Sequence, residues 1–362
     1  MNRSHLRRAG LLLAPIVLLA AACGDTTETV DPADPGPSTD PVTLTLLTHD
    51  SFAVSDDVLA AFTEATGITV KLLRGGDAGT VVNQAILTNG APQADVLFGI
   101  DSTFLSRALD EELFVPYEAA GSEDVPEELV LDSEHRVTSI DYGDVCLNYD
   151  KAYFADAGVT VPATLEDLLD PEYDDLLVVQ NPATSSSGLA FLFATIAEFG
   201  EDGWEAYWQG LVDNGVEVTE GWEEAYYGSF SGGGTSEGTR PLVVSYASSP
   251  PAEVVFADPP VEEAPTGVID ASCYRQIEGA GILAGTDHEA EAGQLIDFLL
   301  SVPFQEDMPL SMFVFPVNPQ ASLPKVFLDN TSVPTNGYEL PTAEIDAHRE
   351  EWIDTWTDLV VR

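Results

Sequence analysis

Positive charge is what this sequence most lacks: 13 Lys and Arg stand against 62 Asp and Glu, for a formal net charge of −49. That balance excludes nucleic acid as a partner, because phosphate backbones are held by clustered cations. It suits cationic ligands. Solubility or a salty medium accounts for most of so large an excess, since a pocket needs only one or two carboxylates. No run of 18 or more apolar residues follows the N-terminus, so the body of the chain predicts no membrane span. G-x-S-x-G, H-E-x-x-H and a Cys–His pairing are all missing, and the five histidines include His5 in the leader. The sequence therefore predicts no catalytic centre, no metal site and no cofactor. No internal repeat is evident, and there are only three cysteines, Cys23, Cys146 and Cys273.

The first of these ends a leader. Arg3, Arg7 and Arg8 precede an apolar core from Leu11 to Leu19, and Ala20-Ala21-Ala22 lead into Cys23. This pattern predicts a lipoprotein signal over 1–22, with Cys23 acylated and the protein exported and anchored to the outer face of the membrane. An ordinary secretory signal is the alternative. Residues 24–41 are rich in Pro and Asp and almost free of apolar side chains, which predicts a flexible tether. Cys146 and Cys273 form an even pair that an oxidising compartment would join in a disulfide; two buried thiols are the other reading.

With 362 residues the chain is long enough for two lobes with cores of their own. Strand and helix patterns alternate over 42–48, 56–66, 68–73, 75–90 and 94–100, predicting an α/β lobe with a parallel sheet. Ser55 reads as the cap of the first helix and Gly67 as its stop. The extended stretches 139–149 and 271–283 interrupt this rhythm. The expected arrangement is a first lobe over 42–140 with a return segment near 284–312, a second lobe over 150–270, and helices from 313–362 packing on the second. The hinge then falls at 141–149 and 271–283, where side-by-side strands would bring the two cysteines together.

Ligands of such sheets gather beyond the carboxyl ends of the strands. That places His49 and Asp50, Asp77, and Asp101 in candidate loops, although Asp in such loops often only caps a helix. The loop Asn181–Gly188 adds Ser185, Ser186 and Gly188 at a helix N-terminus, suited to an alcohol or phosphate oxygen. Trp222 and Tyr226 lie four apart on one helical face ahead of a Gly/Ser-rich loop and the strand ending at Tyr246. Rings and carboxylates together suit a flat organic cation; as a pattern alone, the same rings read as core.

Taken together, T-H-D-S-F (48–52), G-D-A-G-T-V-V-N (76–83), F-G-I-D (98–101), D-Y-G-D-V-C-L-N-Y-D (141–150), N-P-A-T-S-S-S-G-L (181–189), T-E-G-W-E-E-A-Y (219–226), V-S-Y-A-S-S-P (244–250), V-F-P-V (314–317) and P-T-A-E-I-D-A-H-R-E-E-W (341–352) resemble the thiamine-binding proteins of bacterial uptake transporters. These belong to the hinged extracellular solute-binding proteins. The resemblance implies a two-lobed, type II periplasmic-binding-protein-like fold with two extended crossovers, acting as a monomer that is not an enzyme. It implies capture of thiamine or a thiamine phosphate and delivery to an ABC permease. By position, Asp77 would face the charged or amino-bearing part of the ligand, Ser185 and its neighbours the hydroxyethyl or phosphate end, and Trp222 and Tyr246 its rings. The family pattern has a tyrosine where this chain has His49, a tryptophan where it has Phe313, and a tyrosine where it has Ala252, which admits a related cation or pyrimidine. Ferric iron, a polyamine and a secreted thiamine-degrading activity using a cysteine are the competing readings.

Overall fold

The structure, a computed structural model, describes residues 42–331, 333–335 and 337–362. The leader, Cys23 and the tether lie outside the described residues. The chain opens with β1 (Thr43–Thr48), α1 (Asp56–Thr66), β2 (Thr69–Arg74), α2 (Ala78–Leu87), β3 (Val96–Asp101) and α3 (Leu105–Asp110). β1 pairs in parallel with β2 and β3. Helix α1 stops at Gly67, whose φ of 75° is a left-handed geometry that only glycine adopts freely. Ser55 precedes α1 without capping it; its hydroxyl donates to Asp307 Oδ1 at 2.5 Å instead.

After β4 (Phe114–Val115) comes β5 (Thr138–Asp150), then α4 (Lys151–Ala157), β6 (Leu177–Gln180), α5 (Ser186–Phe199), α6 (Trp204–Asp213), β7 (Glu217–Thr219), β8 (Leu242–Tyr246), α7 (Pro250–Val255) and β9 (Thr266–Leu283). The C-terminal part holds α8 (Glu289–Leu300), α9 (Val302–Ser311), β10 (Phe315–Pro316), α10 (Lys325–Asn330) and α11 (Thr342–Val360). Among the described residues all ten strands join one sheet, whose main path runs β2-β1-β3-β9-β5-β8-β6-β7.

The parallel sheet expected for the first lobe extends only over β2-β1-β3. β9 lies antiparallel to β3 and to β5, and β5 antiparallel to β8. The reason is topological. β5 leaves the first half for the second and β9 returns, so the two long strands run in opposite directions through both. Apolar surface follows that division only in part, since one core joins Leu47, Val81, Leu97 and Phe104 of the first half to Leu177, Phe191 and Trp208 of the second. Leu44, Leu46, Phe62 and Phe98 share one core with Leu295, Leu299, Phe304 and Met308 of α8 and α9. In the second half, α11 lays Trp356 edge-on to Trp208 (5.4 Å between rings) and Trp352 edge-on to Phe193 (5.8 Å). Residues 313–318, grouped by sequence with the C-terminal helices, instead carry β10, which pairs with Asp141 and Tyr142 of β5.

Two local devices fix the crossing strands and the helix above them. Between Val145↔Tyr274 and Leu147↔Ile269, one residue of β5 faces four of β9, 270–273. Cys146 and Cys273 are joined by a disulfide across this bulge, and Ser272 Oγ accepts the Leu147 N–H at 2.7 Å. On α5, a β-carbon at Gly188 would stand 2.5 Å from the Gln180 carbonyl oxygen. Only glycine lets the helix start so close to the end of β6.

Two stability changes are expected. Gly188→Ala should destabilise by about 1–3 kcal/mol in urea unfolding, because backbone cannot yield as a side chain does. Replacing both cysteines by serine should cost about 2–4 kcal/mol relative to the oxidised protein; equal unfolding midpoints with and without reductant would show the bridge adds nothing.

Candidate functional site

Between the halves of the sheet lies a cavity of about 780 Å³. Its walls come from chain segments far apart in sequence. His49 and Asp50 follow β1, Gly76 and Asp77 follow β2, and Thr184 and Ser186 open α5. Glu220 to Glu224 follow β7, Tyr246 ends β8, and Ala252 and Phe256 belong to α7 and the residue after it. The crossing strands contribute Asp141, Gln276 and Glu278, and Phe313 closes the rim ahead of β10. Most of these are loops at the carboxyl ends of parallel strands, where open α/β sheets place ligands.

Asp77 ties the two halves together. It begins α2 by accepting the Ala78 N–H at 2.7 Å through Oδ1, while Oδ2 accepts the Trp222 backbone N–H from the opposite half at 2.8 Å. The Thr80 N–H donates to the Thr184 carbonyl at 3.2 Å, a second bond across the cleft. Burial pushes the Asp77 carboxyl up, against the pull of these two N–H groups.

One wall is aromatic. Trp222 stacks on Tyr226 with ring centroids 4.9 Å apart and 19° between planes. The stacking follows from their four-residue spacing at the start of a π-helical turn, Glu224–Ser229. Tyr226 is 1% exposed and serves as the base on which Trp222 rests. The Trp222 indole N–H donates to Ser245 Oγ at 2.9 Å, fixing the ring. Tyr246 lies 6.5 Å from Trp222 at 60° and donates its hydroxyl to Gln276 Oε1 at 2.8 Å. Phe313, with a φ of 57°, is held in left-handed backbone that a bulky residue rarely adopts. Its ring meets Phe256 edge-on at 5.6 Å. Phe256 lies one turn beyond Ala252, so it brings a ring to the wall that Ala252 leaves bare.

The remaining lining is acidic. Asp50, Asp77, Asp141, Glu220, Glu223, Glu224 and Glu278 face the cavity, with Arg74 and His49 the two basic side chains among its described lining residues. Arg74 is committed to the Asp50 and Phe52 carbonyls. His49 Nε2 stands 3.2 Å from Glu278 Oε1. Burial pulls the imidazole down, but Glu278, Asp77 and Asp101 around it hold it above its ordinary value.

Among the sequence candidates, the structure brings His49, Asp50, Asp77, Ser186, Trp222, Tyr226, Tyr246 and Phe313 to this one cavity. Three others are placed elsewhere. Asp101 is fully buried, and its Oδ1 accepts both the N–H and the hydroxyl of Thr103 at 2.7 and 2.5 Å. β9 runs beside it, with the Ser102 N–H on the Ile277 carbonyl, and Asp101 pairs there with Glu278, which lines the cavity while Asp101 lies buried behind that lining. Burial pushes the Asp101 carboxyl up to about 6. Ser185 is fully buried with its hydroxyl 3.0 Å from that of Ser187, beneath the first turn of α5 rather than facing the cavity. Gly188 answers the packing need already described. Sequence reasoning passed over Asp141 and Glu278, which sit 137 residues apart yet directly opposite on β5 and β9. A carboxylate next to an isoleucine in each crossing strand, Ile140-Asp141 and Ile277-Glu278, was the available signal. Among the described residues, no group of three or more His, Cys, Asp and Glu is arranged to hold a metal ion.

Comparison with known proteins fits this geometry. The chain is 29% identical over 324 residues to the thiamine-binding periplasmic protein of Escherichia coli K12, covering 88% of this chain and 94% of that one. It is 26% identical to the protein of the same name from Brucella suis, over 87% of this chain and 91% of that one. A solved periplasmic thiamin binding protein superposes with a TM-score of 0.75 at 27% identity, covering 88% of this chain and 96% of the other. Iron-bound HitA from Pseudomonas aeruginosa, at 20% identity and a TM-score of 0.69 over 88% of this chain and 99% of that one, shares the fold. Residues 91–336 match the model of the bacterial extracellular solute-binding proteins. With well over half of its length in that match and the two-lobed fold around a cavity, the chain belongs to the bacterial extracellular solute-binding proteins.

Proposed function

We propose that this protein captures thiamine outside the cell by closing its two halves around it and hands it to the permease of an ABC transporter. The observation that carries the reading is the pairing of an aromatic wall with an acidic lining in one cavity. Thiamine is a flat cation with two rings. Trp222, backed by Tyr226, and Tyr246 offer ring faces, and the surrounding carboxylates balance the thiazolium charge. The names of the relatives that span nearly the whole chain support the same ligand.

The magnitudes are adequate. A nanomolar dissociation constant corresponds to about −12 kcal/mol. Over about 18 non-hydrogen atoms that is roughly −0.7 kcal/mol per atom, within the range of small ligands. One desolvated cation–ring contact contributes about 2 kcal/mol, so the rings must act together with a carboxylate. β5 and β9 are the hinge in this reading, because both strands run through the two halves and pair side by side between them. Asp77 acts as the latch, binding the Trp222 backbone only when the halves meet. Thiamine phosphates fall within the proposal through Thr184 and Ser186, since the first N–H groups of α5 have no partner within the helix. The mature protein would act as a monomer, and acylation of Cys23 would keep it beside its permease.

Calorimetric titration of the purified body with thiamine tests the reading. Trp222→Ala and Tyr246→Ala should each weaken binding at least tenfold while the unfolding midpoint stays within a few degrees. Unaltered affinity in both variants would remove the aromatic wall from the ligand site, and the thiamine reading with it.

A further inference from the structure

The floor of the cavity carries more negative charge than a single carboxylate latch needs. Asp101 on β3, Glu278 on β9 and Asp141 on β5 stand directly opposite one another across three adjacent strands. Residues so paired point to the same face of a sheet. Asp141 is 2% exposed, yet it lines the cavity, and its Oδ2 has no hydrogen-bond partner among the described residues. An unpartnered buried carboxylate oxygen is expensive. Asp77 cannot be compared with it, since both oxygens of Asp77 already accept backbone N–H groups.

We propose that the positive charge of the ligand is met at this floor by Asp141 together with Glu278, and that the arriving cation displaces a proton held between them. The inference rests on the reading of thiamine as cargo. Two ionised carboxylates are both acceptors and leave Asp141 Oδ2 bare; one shared proton gives that oxygen its bond and removes a charge from a dry site. Burial, then Glu278 and Asp101, raise the Asp141 carboxyl well above its ordinary value. The groups facing the pair are His49 from the loop after β1, Asp77 at the start of α2, Asp101 from β3, and the neutral Gln276 and Tyr246. Four acids and one imidazole share the region, so the site holds a proton easily and gives it up when a fixed cation takes its place. The proton leaves to buffer and the ligand charge replaces it. Affinity therefore rises with pH while the pair is being emptied, by up to about tenfold per pH unit for one proton released.

The test is calorimetric titration of the full mature body with thiamine at pH 6.5, in phosphate and in imidazole buffer, whose ionisation enthalpies differ. The wild-type protein should release about one proton per thiamine bound. Asp141→Asn should abolish the release, flatten the pH dependence between 5 and 7, and weaken binding at least tenfold at pH 7.5. Glu278→Gln should do the same and carries the test if Asp141→Asn does not fold. His49→Gln should retain the release. Binding with a buffer-independent enthalpy overturns the inference and leaves the thiamine reading standing. Release that persists in both acid variants but vanishes in His49→Gln also overturns it, since the proton then belongs to the imidazole. No heat and no binding with wild type overturns the thiamine reading itself.

Discussion

The antiparallel pairing of β5 with β9 is the constraint on which everything else rests. These two strands are at once the connection between the halves and the floor of the cavity. Asp141, Gln276 and Glu278 are therefore held by the two strands that run from one half into the other. The bulge at 270–273, with Cys146 and Cys273 bonded across it, lies a few residues further along the same ladder. Between the floor and the bulge, Arg275 binds Asp144 at 2.7 Å and lies over the Tyr142 ring at 5.1 Å. In the proposed closure such a ladder would let the halves rotate about the strands while the floor keeps its register, because ladder hydrogen bonds fix the pairing and twist absorbs the rotation.

Charge explains why such a cavity favours a cation and resists an empty, closed state. Coulomb repulsion between like charges 4 Å apart is about 4 kcal/mol at an effective dielectric near 20. Glu220, Glu223 and Glu224 approach from one half, Asp50 and Asp77 from the other. Each step of closure that expels water strengthens their repulsion. A cation between them reverses the sign of that contribution. Ligand charge and closure are then coupled in the only way a ligand shifts a conformational equilibrium, by interacting more favourably with one state than with the other.

How much of this could be read beforehand depends on whether the determining contacts are local. Trp222 and Tyr226 are four residues apart, so their stacking was visible in the sequence. Tyr226 is core, and the ring resting on it lines the cavity. Asp77 was legible because an Asp before an apolar helix pattern, in a loop after a strand, has few places to point. Asp101 has the same local signature and a different fate, because Thr103 takes up one of its oxygens and β9, pairing alongside it at Glu278 from 177 residues later, leaves it buried. Ser185 and Ser186 are neighbours, and which of them faces the cavity is set by the angle at which α5 enters. Gly188 fixes that angle through its contact with Gln180. Asp141 and Glu278 could not be joined from sequence, because their pairing depends on the register of two strands separated by the whole second half.

The aromatic wall shows the same dependence on fold-level placement. Where the family pattern carries a ring, Ala252 offers only a methyl group, and inspection residue by residue counts a loss. Phe256 follows one helical turn later, so it projects from the same side of α7 and meets Phe313 at 5.6 Å. Phe256 is nonetheless 68% exposed, so its ring sits at the rim rather than inside the cavity. Its partner Phe313 belongs to the segment between α9 and β10, anchored to the first half through its N–H on the Met308 carbonyl. The Phe256–Phe313 contact thus bridges the mouth from opposite halves, and opening the cleft must separate it. Aromatic area lost inside the cavity at Ala252 is regained at the rim, where it acts on the closed state rather than directly on the ligand.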